Sequence, residues 1–78
     1  MGSKYPSLSS SEVIRRLVKH GFLFKSQRGS HAKYVKSTPE KQTKTAIVPM
    51  HDIILKTTLK SILRQAGLSI DEFMNEKK

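Results

Sequence analysis

Residues 22–49 read FLFKSQRGSHAKYVKSTPEKQTKTAIVP, and the fold turns on this segment. Phe22-Leu23-Phe24-Lys25 opens a β-rich run, and Ser30 to Lys36 reads as a second strand. Between them Gln27-Arg28-Gly29 predicts a tight turn, because glycine accepts a positive φ without a steric penalty. Residues 37–42 are polar, contain Pro39 and lack any periodicity, which makes them a loop. Thr45-Ala46-Ile47-Val48 then predicts a third strand, ended by Pro49, whose ring nitrogen cannot donate to a ladder. Three strands in succession on short turns predict an antiparallel meander.

Working outward, Ser9 and Glu12 have the spacing of a capping box, in which a serine hydroxyl and a glutamate carboxylate each satisfy a backbone N–H at a helix start. Val13, Ile14, Leu17 and Val18 form a one-sided apolar stripe, and Gly21 supplies a left-handed terminator, so a helix is predicted over about residues 10–20. Arg15, Arg16 and Lys19 lie off the stripe, as a solvated face does. Downstream, Thr57 or Thr58 is expected to cap a second helix whose stripe is Leu59, Ile62, Leu63 and Ala66, ended at Gly67. Ser69 and Glu72 repeat the capping-box spacing and predict a short final turn that tucks Phe73 against the body. One-sided helices and a three-stranded sheet pack most economically with both helices on one sheet face. The expected class is therefore α+β: an α-β-β-β-α order like that of double-stranded-RNA-binding domains, with two helices on one face of a three-stranded antiparallel sheet. The expected organisation is a flexible lead over 1–8, one domain over 9–73 and a tail over 74–78.

With 78 residues the chain sits near the lower end of what folds without disulfides or a metal. It has no cysteine, which removes disulfides, thiolate nucleophiles and thiolate metal sites. His20, His31 and His51 lack the spacing of a zinc motif, so no metal and no cofactor is expected. Fifteen Lys and Arg against six Asp and Glu give a net charge of +9, and three of the acids, Asp71, Glu72 and Glu76, fall at the C-terminal end. A body so basic favours a polyanion: nucleic acid, an acidic protein or an anionic membrane. The plainer explanation is solubility. A membrane fits least, because the bases are spread over every element rather than gathered on one amphipathic helix. No apolar run approaches a spanning length and the polar start has no signal-peptide core, so a cytoplasmic location is expected.

Arg28-Gly29-Ser30-His31-Ala32-Lys33-Tyr34 sets an imidazole beside a glycine turn among cations. Imidazole is the side chain whose ordinary pKa lets it take and give protons near neutrality. The neighbouring cations suit phosphate, and suit charge developing on it. Taken with Val48-Pro49-Met50-His51 and the run Thr58-Leu59-Lys60-Ser61-Ile62-Leu63-Arg64-Gln65-Ala66-Gly67-Leu68-Ser69 before Glu72-Phe73, this ordered set resembles the HicA toxins from about Ser9 to Phe73. The family commonly has Gly-Thr-Leu entering its second helix, where this chain has Thr57-Thr58-Leu59.

The resemblance implies a toxin that cleaves RNA, is held inactive by a HicB antitoxin, and uses the histidine of its Gly-Ser-His triplet, here His31, as catalytic residue. His51 matches a second recurring histidine, with an auxiliary or a structural role, and His20 matches no catalytic position. RNA carries its own nucleophile in the ribose 2′-hydroxyl, so such a toxin works on mRNA without a metal: His31 moves the proton, a contribution of roughly 10²–10⁴-fold. Arg28, Lys33 and the Gly29-Ser30 backbone are the expected phosphate contacts. Alternation along the second strand leaves open which sheet face His31 occupies. Two other classes fit the charge: a non-catalytic RNA-binding module, and a basic adaptor for an acidic protein.

Overall fold

The computed structural model describes residues 5–75. Its elements run α1 (Ser10–Lys19), β1 (Leu23–Arg28), β2 (His31–Ser37), β3 (Thr43–Pro49), α2 (Lys56–Ala66) and α3 (Ile70–Met74). The three strands form one antiparallel sheet in the order β1-β2-β3, and the helices lie on one face of it, the predicted α+β arrangement. The capping boxes at Ser9 and Ser69 both form, and Phe73 on α3 is buried.

The core lies between the helices and the inner sheet face. Val13 and Leu17 of α1, Leu59, Ile62, Leu63 and Ala66 of α2, and Phe73 of α3 meet Ala32 and Tyr34 of β2 and Ala46 and Val48 of β3. The helices crowd toward β3, and every residue of β1 is exposed. That uneven cover leaves β1 as an outer rail with Leu23 and Phe24 in solvent, where the Phe24 ring meets Tyr34 edge-on at 5.7 Å.

The other edge of the sheet is closed from α2. Ile47 N–H points away from β2, where an unpaired edge amide invites another strand. Gln65 Oε1 accepts it at 2.9 Å. Lysines close the far end: the Lys36 side chain lies against Gly21, and Lys44 against Gly67, whose φ of +74° ends α2. Ammonium groups there complement the negative ends of the two helices.

Two expectations from sequence are corrected. α2 begins at Lys56 with Leu55 in the N-cap position and no side-chain cap, so neither Thr57 nor Thr58 caps it. The cause is tertiary: Ile54 N–H donates to the Leu8 carbonyl at 2.6 Å, and from that pinned residue the chain enters the helix directly, with Leu59 N–H donating to the Leu55 carbonyl at 2.8 Å. Residues 5–8, assigned by sequence to the lead, also lie against the domain. Leu8 is buried and pairs with Ile54, and Tyr5 packs on the core. Residues 1–4 of the lead and 76–78 of the tail fall outside the described residues.

Candidate functional site

The β1–β2 connection is a two-residue loop, Gly29-Ser30, closed by the pair Arg28 and His31. Gly29 has φ +59°, as the first central position of a type II′ hairpin turn requires, and the twist of such turns matches that of the strands they join. The turn fixes the register, and the register answers the question the sequence left open. Ala32 and Tyr34 face the helices, so His31 and Lys33 face the opposite, uncovered side of the sheet.

Arg28 shares that face, since residues directly paired across strands point the same way. Cross-strand neighbours sit about 5 Å apart at Cβ, and residues two apart on a strand about 6.8 Å. His31 is therefore flanked by a guanidinium across the ladder and an ammonium along it. His31, Arg28, Gly29 and Ser30 are exposed, and Lys33, on the central strand, is half-buried. Gln27 Nε2 donates to the Gly29 carbonyl at 3.0 Å and braces the turn.

His51 reaches the same end of the sheet by another route. Met50 N–H donates to the Ser30 carbonyl at 2.7 Å, so the residues preceding His31 and His51 are bonded to each other. His51 N–H turns back to the Pro49 carbonyl at 3.0 Å, and the His51 carbonyl accepts Ser10 N–H at 3.1 Å. The loop carrying His51 is thus tied to the hairpin on one side and to the start of α1 on the other. Its imidazole is exposed, and its neighbours Ile53 and Leu55 are largely exposed as well.

His20 is elsewhere. It caps the C-terminus of α1 beside Gly21, at the Lys36 end of β2. There it faces α3, where the Glu72 carboxyl sits below its ordinary value of 4.5, chiefly because it accepts the Ser69 backbone N–H at 2.9 Å, with the Ser69 hydroxyl and the charge of His20 adding to the effect.

Among the described residues no three His, Asp or Glu side chains gather in a way that fits a metal ion, and no helix is long and apolar enough to cross a membrane. Sequence reasoning brought out the triplet and its cations. It missed the row of bases on α2 at 56, 60 and 64, whose period of four was readable, and the contact of Tyr5 with that row, which was not.

Residues 10–68 match the family model described as HicA toxin of bacterial toxin-antitoxin. A comparison with curated proteins finds no match.

Proposed function

Since the chain belongs to the HicA toxin family, and so is the toxin of a toxin–antitoxin system, we propose that it is a metal-independent endoribonuclease that cuts mRNA in the cytoplasm, with His31 as general base. The supporting observation is the convergence at one sheet end of His31, flanked by Arg28 and Lys33 on the uncovered face, with His51 tied to the same turn through Met50 and Ser30.

In this reading the His31 imidazole takes the proton of a ribose 2′-hydroxyl. The 2′-oxygen attacks the adjacent phosphorus, the bond from phosphorus to the 5′-oxygen breaks, and that oxygen leaves with a proton, giving a 2′,3′-cyclic phosphate and a free 5′-hydroxyl. His51, carried on the loop bonded to the same turn, is the candidate to supply the leaving proton. Arg28, Lys33 and the exposed Gly29-Ser30 backbone neutralise the phosphate as charge grows on its equatorial oxygens. The same basic, open face suits an acidic HicB-type antitoxin, whose carboxylates near Arg28, Lys33 and His31 deny the site to RNA and allow translation and growth to resume.

The test is one preparation measured three ways. Full-length protein should cut mRNA in EDTA, leave cyclic-phosphate ends and spare DNA, which lacks the nucleophile. His31→Ala should remain folded, since substitutions at exposed sites usually stay within about 0.5 kcal/mol. It should bind RNA with the wild-type salt slope, because no phosphate-binding cation is lost, yet cut at least about 10²-fold more slowly. Near-normal cleavage by His31→Ala, or strict dependence on Mg²⁺, refutes the mechanism. Retention of cleavage by a stoichiometric antitoxin complex refutes occlusion.

A further inference from the structure

α2 contains no acidic residue, and its bases fall at Lys56, Lys60 and Arg64, all exposed. Each four-residue step along a helix rises about 6 Å and turns about 40°, so the three side chains form one winding row about 12 Å long. The row starts at the end of the fold that carries His31 and His51 and runs toward the Lys44 end.

The row is braced. Lys60 Nζ lies 5.2 Å and Lys56 Nζ 5.9 Å from the centroid of the Tyr5 ring. A ring face attracts cations, and here it keeps two like charges side by side where long side chains would otherwise spread apart. Alongside lies a cleft of about 520 Å³ between α2, residues 68–71 and Tyr5, with the part-exposed Leu68 over the buried Leu63 as its apolar side, Lys60 and Arg64 as cations, and Asp71 among its lining residues.

We propose that this cleft and its cationic row bind a single RNA strand, with phosphates on Lys56, Lys60 and Arg64 and one base seated against the part-exposed Leu68. It is a second contact, remote from His31, that governs how tightly a long message is held, and it rests on the reading of the chain as an RNA-cleaving toxin. Charge complementarity selects a polyanion. The apolar lining selects an unpaired strand, because a duplex keeps its base faces stacked and offers phosphates alone. Asp71 makes the cleft itself less positive than the α2 row, which places phosphates on the row and a base, whose exocyclic N–H the carboxylate accepts, in the cleft.

The test compares Lys60→Gln/Arg64→Gln with Lys25→Gln/Lys41→Gln, which removes the same charge elsewhere on the surface. Binding of a long unstructured RNA is followed against salt in full-length His31→Ala protein, and cleavage is followed in the His31 protein. Each single-strand phosphate neutralised contributes about 0.7 to the slope of log K against log salt, so the α2 pair should lower it by about 1.4 and the control pair by less. KM for the long RNA should rise with kcat held, and the loss should be greater than for a dinucleotide, which is too short to reach both places. An equal slope change in the control pair, an equal loss on the dinucleotide, or a loss confined to duplex RNA or to polyglutamate overturns the proposal. If the wild-type protein cuts no RNA, the enzymatic reading falls, and the binding slopes still decide the subsite.

Discussion

Replacing Gly29 by L-alanine and, separately, by D-alanine isolates the backbone geometry on which the site depends. No heavy atom lies within 4 Å of where the Cβ of an L residue at this position would stand, so the L substitution causes no clash. Its cost is therefore conformational. At φ +59° an L side chain crowds its own backbone at a cost of about 1–2 kcal/mol. A D side chain prefers that region, and by narrowing the unfolded ensemble it should stabilise by about 0.4–1 kcal/mol. Against a total near 4–12 kcal/mol for a domain of this length, either shift is measurable by denaturant titration. A chain of 78 residues is within reach of chemical synthesis, which allows both isomers to be made. Cleavage adds a second readout: relief of the strain by a one-residue slip of β2 moves His31 to the helix-covered face. The L isomer should therefore lose more activity than its unfolded fraction accounts for, and the D isomer should keep it. Equal stability changes in the two isomers would show that the turn is not held at positive φ, and the assignment of His31 to the open face would fall with it.

Gln65→Ala removes the acceptor for the Ile47 edge amide and should cost about 0.5–1.5 kcal/mol, while Gln65→Glu retains an oxygen there and should cost less; thermal unfolding of the pair decides, and identical values would exclude the bond as the cause. Glu72 supplies the pH dependence. Its folded-state pKa is depressed, so its contribution is present above the ordinary value of 4.5 and is lost as pH falls through the lower folded value. Stability followed by denaturant titration at acid pH should decline less in Glu72→Gln, which has no carboxyl to protonate, and parallel declines would refute the assignment.

The sheet was legible because its punctuation is local: a glycine at the hairpin, a polar stretch with Pro39, and Pro49 at the end of β3. The helices were legible from stripes that the core does bury, Val13 with Leu17 and Leu59 with Ile62, Leu63 and Ala66. What was hidden depends on contacts between distant residues. Ala32 and Tyr34 alternate with Lys33 and Val35, a small and an amphipathic residue against a long-stemmed base and an aliphatic one, so the pattern names neither face until helices cover one of them. β3 runs from Thr43, two residues earlier than its apolar run, because Ser37 and Thr43 still pair at the mouth of the loop. The start of α2 follows from Leu8 pinning Ile54, and no propensity at Thr57 or Thr58 reports that. His51 joins His31 through the pairing of His31 with Pro49 and the bond between Met50 and Ser30, contacts between residues about twenty positions apart.

The distribution of charge connects the fold to its partner. Three of the six carboxylates, Glu12, Asp71 and Glu72, stand in the first turns of α1 and α3, where they complement helix N-termini. Glu12 and Glu72 are further engaged there by the backbone N–H groups of Ser9 and Ser69. Acids placed for local capping do little to offset cations on other elements, since exposed charges further apart than a Debye length of roughly 8–10 Å are screened from one another. The three strands and α2, by contrast, carry lysines and arginines and no carboxylate. The acids thus help the small helices to form, while the sheet face around His31 and the outer row of α2 keep their positive field. Helix capping accounts for where these three acids stand, and the cations of the sheet face and α2 are left unopposed by it. On the proposed function, a domain that draws in RNA and is then silenced by an acidic protein competing for the same field gains from both halves of the arrangement.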